Sequence, residues 1–221
     1  MMREQNPWET IRLSEYENHM GNVNVQQTQM LNYIVKEQLK SIDYEKCRRP
    51  VVAIMGITSG NGLEHVEGTS IRKIIGIDIN EEYLCECTKR FEALGEQLEL
   101  HRVNMMVELE RAAKLLEKAD LVLADLLIEH IHLDNFIGLV KRMRKRRRRI
   151  SCVIQFNPEG CKVSASGYEQ CFDNISNLIE EEDREELNSV FSGIGYRLDY
   201  EKEYPLVNGK SLIRMDFVSV R

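Results

Sequence analysis

Three glycines, Gly56, Gly60 and Gly62, punctuate the segment MGITSGNG between an apolar β-branched run and a stretch with helical spacing. Glycine in such a turn lets the backbone approach a ligand closely and adopt positive φ. The turn feeds a helix N-terminus, whose free N–H groups and dipole favour a carboxylate or a phosphate. Thr58 and Asn61 add short polar side chains to it. Asp78 ends the next apolar run, near the roughly 20-residue spacing at which an acidic residue accepts hydrogen bonds from ribose hydroxyls. A glycine turn alone often serves only to reverse the chain. Joined to a strand-end carboxylate, it points to a nucleotide-bearing cofactor.

The elements that must position these groups follow from the hydrophobic pattern. Strands are expected at 51–56, 73–79, 98–103, 120–127 and 150–156, alternating with amphipathic stretches, the texture of parallel strands with crossover helices. Asn80 is placed to cap the helix carrying Tyr83, Leu84, Cys87 and Phe91. Further helices are expected at 107–119, 132–145 and 174–191. The ending differs, because segments 195–206 and 211–220 are separated only by a short Val-Asn-Gly-Lys turn. Strands joined that closely must be antiparallel. Residues 1–48 are polar with helical spacing at Met30, Leu31, Ile34, Val35 and Leu39, and read as a helical extension or lid on a domain spanning 49–221.

Composition bounds the function. With 221 residues, 43% hydrophobic and 30% charged, the chain has room for one α/β core of ordinary soluble type. No apolar run approaches the roughly 20 residues of a membrane helix, and MMREQNPWET lacks the apolar stretch of a secretory signal. A cytoplasmic protein with no membrane partner is expected. The six cysteines (Cys47, Cys85, Cys87, Cys152, Cys161, Cys171) form no paired zinc spacing, so no metal is expected. A net charge of -6 argues against a protein devoted to coating nucleic acid.

From residue 50 onward the chain resembles the class I S-adenosylmethionine-dependent methyltransferases. The resemblance rests on MGITSGNGLEH (55–65), GIDIN (76–80), HRVNMM (101–106), DLVLADLL (120–127) and the terminal hairpin. It implies a Rossmann-like, seven-stranded, mostly parallel sheet in the order 3-2-1-4-5-7-6, strand seven antiparallel, with helices on both faces. It also implies S-adenosyl-L-methionine as cofactor. By resemblance, Gly56, Thr58 and Gly60, with Asn61 beside them, line the methionine moiety. Asp78 and the neighbouring Ile79 hold the ribose, Asn104 and Met105 contact the adenine, and Asp125 borders cofactor and substrate. The chain departs from the family pattern at Ile54, Thr58 and Asn104, where an acidic residue, a glycine and an acidic residue are usual. Asp125 could supply the missing charge. The spacing Gly56-x-x-x-Gly60-x-Gly62 also fits short-chain dehydrogenases, but their Tyr-x-x-x-Lys pair is absent and their fold has no such closing hairpin.

Methyl transfer is an in-line displacement that requires alignment and exclusion of water, with a base only where the nucleophile arrives protonated. Candidate groups are Tyr16 and His19, with Glu17 and Met20, in the extension, and Glu129 and His130, with His132, after strand four. A small-molecule acceptor is expected. The alternatives are RNA or protein methylation using the basic run KRMRKRRRR (141–149), or a cofactor-binding domain without catalysis. The basic run itself is read as the solvated end of a helix, and a homo-oligomer is left open. No Asn-Pro-Pro-Tyr motif of base methylation is present.

Overall fold

Residues at alternate positions of the first strand belong to opposite cores. Val51, Ala53 and Met55 of β1 (Val51–Met55) pack into one apolar cluster, and Val52 and Ile54 into another. A strand buried on both faces requires that period of two. β2 (Lys73–Asp78) repeats the pattern, with Ile75 and Ile77 on the first side and Ile74 on the second. The computed structural model describes residues 6–143, 148–158, 164–176 and 179–220. Gly160, Cys161 and positions 144–147 of the basic run lie outside them.

The remaining strands are β3 (Leu98–Arg102), β4 (Leu121–Asp125), β5 (Arg149–Phe156), β6 (Tyr196–Pro205) and β7 (Ser211–Ser219). They form one seven-stranded sheet in the order β3-β2-β1-β4-β5-β7-β6. β1 to β5 are parallel, and β7 runs antiparallel to both β5 and β6. This is the order and polarity expected from the sequence. The C-terminal ends of the parallel strands therefore share one edge, where Met55, Asp78 and Asp125 emerge.

Helices cover both faces. On one side α4 (Leu109–Leu116), α6 (Leu133–Arg142) and α8 (Arg184–Gly193) contribute Ala112, Leu116, Phe136, Leu139, Leu187 and Phe191. The Phe191 and Phe217 rings stack there at 3.9 Å. On the other side α2 (Gln27–Lys40) and α3 (Glu81–Arg90) contribute Val35, Leu39, Leu84 and Cys87. Ile34 of α2, fully buried, packs on Val153 and Leu212, and burial of each such side chain stabilises by about 1.5–3 kcal/mol. α2 is thus built into the core around the sheet, whereas Tyr16 and Met20 of α1 (Leu13–Met20) and Trp8 of the short 3-10 turn Pro7–Glu9 pack on a separate, smaller cluster of Ile11, Phe172 and Ile175. Among the described residues no helix is long and apolar enough to cross a membrane.

Several expectations are corrected. The helix expected at 132–145 is present as α6, and a short helix not expected from the sequence, α5 (Ile128–Ile131), precedes it across a break at His132 with φ 66°. The helix expected at 174–191 is divided, into α7 (Asp173–Ser176) and α8. Asp183 starts α8 as its N-cap, its side chain accepting from the N–H groups of Glu185 and Glu186. The acidic residues before it lie outside any helix, with Glu180 N–H donating to Glu129 O.

The basic run is not simply a solvated helix end. Arg148 is buried, donating from Nε to Ala119 O and from Nη2 to Glu117 O. Arg149 pairs with Asp199 and Asp216, and Arg142 with Glu110. Arg148 and Arg149 are thus committed to the fold, while the Arg142 pair lies at the surface.

Candidate functional site

Asp78 is the last residue of β2, and its carboxylate is gripped by main chain on both sides. Thr58 N–H donates to Oδ2 at 2.9 Å and Asn80 N–H to Oδ1 at 2.9 Å. Burial raises the carboxyl above its ordinary range, against the opposing pull of these bonds and of the Ile79 backbone. A carboxylate can accept about four hydrogen bonds, so Asp78 retains capacity toward the pocket it lines.

The glycine-rich loop packs beneath that carboxylate. Gly56 N–H donates to Ile77 O, tying the loop to β2. Thr58 adopts φ 52°, the left-handed region that favours glycine. Such a conformation costs about 1–3 kcal/mol and persists where surrounding contacts enforce it. Here the bond to Asp78 does so. Leu126, also on the pocket wall, shares this conformation at φ 51°.

The glycines do not all face the pocket. A Cβ on Gly60 would stand 2.6 Å from Phe91 Cε2, and one on Gly62 would stand 2.7 Å from Val35 Cγ1. These two glycines bring α3 and α2 close to the loop, while Gly56, Thr58 and Asn61 line the cavity. Asn61 is itself held from behind, donating to Thr28 O and accepting from Asn32.

Beyond β3, Asn104 turns the chain by accepting from Met106 N–H, and it lines the pocket with Met105 and Ile79. Asp125, at the end of β4, accepts from Gln38 Nε2 at 2.7 Å. The same nitrogen donates to Ser151 Oγ, which donates to Asp216, and Asp216 is held by Arg214. A polar chain thus runs from the pocket edge into the C-terminal hairpin. Burial pushes the Asp125 carboxyl up to about 7, against the Gln38 amide and the Arg214 charge.

The pocket is roofed by aromatic rings. Trp8 meets Tyr16, Phe172 and His130 edge-on at centroid distances of 6.3, 6.2 and 4.7 Å. Tyr16 continues to Tyr83, and Phe172 to His19. Neither histidine is poised as a base at neutral pH. His130 is pushed down to about 4 by burial and by His132, and burial also lowers His19, whose Nδ1 meets Ser166 Oγ. Tyr16 is raised by burial and by the Asp78 charge, so it stays a phenol. Glu129 differs from these three. It is 6% exposed, and its Oε2 has no hydrogen-bond partner among the described residues. Burial, with Glu182 and Asp125 adding to it, pushes this carboxyl up to about 8.

A carboxyl raised by folding favours the protonated folded state. Its stabilisation is full below the ordinary carboxyl range and is lost as pH rises toward 8. Asp125 acts in the same direction. Glu129→Gln, a neutral mimic of the protonated acid, should therefore melt close to the parent near pH 5 and several degrees higher near pH 8.5. Equal melting temperatures at both pH values would refute this.

The roof hangs from α3 and the loop. Asn80 Nδ2 donates to the carbonyls of Trp8 and Ile11, and Leu13 N–H donates to Glu82. Glu17 turns away from the pocket to make a two-pronged pair with Arg90, and it also accepts from Ser59. These bonds hold its carboxyl below the ordinary range despite partial burial. The pair is partly exposed and contributes about 1 kcal/mol at most. In Arg90→Ala, amide exchange within α1 should quicken by roughly five-fold, with the melting temperature nearly unchanged. Unaltered exchange would show that the pair holds nothing.

No protein-family model and no curated protein sequence matches this chain. Solved structures do. Magnesium protoporphyrin IX methyltransferase from Synechocystis PCC 6803, with bound S-adenosylmethionine, superposes at a TM-score of 0.68 with 12% identity over 99% of each chain. The fold is that of the class I S-adenosylmethionine-dependent methyltransferases. N-methyltransferase NodS from Bradyrhizobium japonicum, in complex with S-adenosyl-L-homocysteine, gives a TM-score of 0.63 at 8% identity, covering 98% of this chain and 100% of its own. Burkholderia thailandensis 1,6-didemethyltoxoflavin-N1-methyltransferase gives 0.58 at 12% identity, covering 100% and 93%.

The methyltransferase fold brings most of the sequence-derived site together. Gly56, Thr58, Asn61, Asp78, Ile79, Asn104, Met105, Asp125, Tyr16, His19, Glu129 and His130 all line one pocket, and Gly60 stands behind it. Trp8, Phe172 and Gln38 were not foreseen. Trp8 had a signal, an Asn-Pro-Trp start in which Asn6 caps the turn by accepting from Trp8 N–H. Phe172 had none.

Proposed function

We propose that this chain is an S-adenosylmethionine-dependent methyltransferase acting on a small molecule. The observation that carries the reading is Asp78, a buried strand-end carboxylate with acceptor capacity turned toward a roofed pocket. In this reading Asp78 receives the ribose hydroxyls, and Asn104 and Met105 flank the adenine. Asp125, oriented by Gln38, faces the amino group and supplies the charge absent at Ile54. When bound, the sulfonium supplies an activated methyl group.

The protein's own work is then alignment and dryness. The ring roof excludes water, which strengthens each charge interaction within. The main-chain grip on Asp78 fixes the carboxylate before ligand arrives, so little reorganisation is needed. Commitment of Arg148 and Arg149 to internal partners removes them from any phosphate-binding patch and favours a small acceptor over RNA.

Titration calorimetry with S-adenosylmethionine and S-adenosylhomocysteine tests the reading. Binding of both at one site per chain is expected. Binding of neither would sink it.

A further inference from the structure

We infer that the methyl acceptor is an amine carried on an apolar, ring-sized body, with Glu129 receiving the nitrogen and Trp8 and Phe172 enclosing the body. This rests on the methyl-transfer reading and narrows it to a substrate class.

The first support is the Glu129 carboxyl, buried on the pocket wall with one oxygen unpartnered among the described residues. A buried polar atom without a partner is costly and calls for an explanation. A donor brought by a ligand is one. Asp78 and Asp125 are occupied by main-chain and Gln38 donors and are assigned to the cofactor, which leaves Glu129 to the acceptor.

The second support is the sign of the pocket. Its described lining holds Asp78, Asp125, Glu129, Glu180 and Glu181, and no lysine or arginine. His130 and His19 have lowered proton affinity and add no positive charge at neutral pH. A carboxylate acceptor would be buried among acids without a counter-charge. An ammonium would meet both the carboxyls and the ring faces, which attract cations.

The chemistry balances. An ammonium beside Glu129 favours its ionised form, and the ammonium proton then passes from the acceptor nitrogen to Oε2, whose proton affinity burial has raised to suit the transfer. The freed nitrogen lone pair forms the new N–C bond to the methyl carbon as the S–C bond breaks, its electron pair staying on sulfur. Glu129 then releases its proton to solvent.

Three probes of one size separate the possibilities: 2-phenylethylamine, 2-phenylethanol and 3-phenylpropionate, titrated by calorimetry into the protein with and without S-adenosylhomocysteine. The amine should bind roughly ten-fold or more tightly than either of the others. Glu129→Gln should reduce that preference about ten-fold while leaving S-adenosylhomocysteine binding unchanged, and Glu129→Asp should restore part of it. Equal binding of the three probes, preference for the carboxylate, no amine binding, or an undiminished preference in Glu129→Gln would each overturn the inference. Failure of S-adenosylhomocysteine to bind would strike the underlying reading instead. The amine-to-carboxylate ratio on the cofactor-free protein still decides this one.

Discussion

Asp78→Asn is expected to weaken S-adenosylmethionine binding by roughly 100- to 1,000-fold, from the loss of charge-assisted bonds worth about 1.5–3 kcal/mol each. The substitution preserves shape but replaces one acceptor oxygen with an amide nitrogen. Both oxygens face main-chain donors, Thr58 N–H and Asn80 N–H, so one donor must then face another. A buried N–H left without an acceptor costs about 1–3 kcal/mol, and the strained Thr58 loses the bond that holds it. The variant should therefore melt earlier as well as bind less. Calorimetry at a temperature well below the variant's melting point separates the two effects. An affinity within about three-fold of the parent would remove Asp78 from the cofactor site.

Gly60→Ala should destabilise by about 2–5 kcal/mol, combining strain at positive φ with overpacking. For a chain of this length that corresponds to a fall in melting temperature on the order of 10 °C. The new Cβ would lie 2.6 Å from Phe91 Cε2 and 2.9 Å from Cys87 Sγ, at φ 91°. Two controls divide the terms. Gly68 has φ 74° with nothing within 4 Å of an added Cβ, so Gly68→Ala carries the backbone term alone. Gly60→Ala combined with Phe91→Leu relieves the ring's part of the crowding and leaves the Cys87 contact and the φ strain. If Gly60→Ala and Gly68→Ala melt alike, the close approach of α3 to the loop contributes nothing.

The period-two runs of β1 and β2 made the sheet legible, because each residue there has only two faces to choose between and both are apolar. Asp78 and Asn80 were legible for a related reason. Their roles are set by position at a strand end and a helix start, which sequence spacing reveals. The purpose of Gly60 and Gly62 was not. Spacing says that a side chain is forbidden, and only the structure says that Phe91 and Val35 forbid it rather than a ligand.

Long-range partners were equally hidden. Trp8 and Phe172 meet at 6.2 Å across most of the chain, and nothing in either neighbourhood encodes the other. Arg148 sits in a run whose composition suggests exposure, yet its backbone position at the entry to β5 places the guanidinium against two carbonyls. Glutamates at 180–186 favour a helix in isolation, and the cap at Asp183 divides them.

Asn80 has a consequence for how such a chain can diverge. Its N–H, Oδ1 and Nδ2 are all engaged, with Asp78, the first turn of α3, and the carbonyls of Trp8 and Ile11. No other side chain offers that combination of donors and acceptor at this length. What it holds in the roof, however, is main chain. The identities of residues 8 and 11 are therefore free to drift while the segment stays docked, so descendants of this sequence can exchange one acceptor for another by rewriting ring side chains, with the anchorage inherited unchanged.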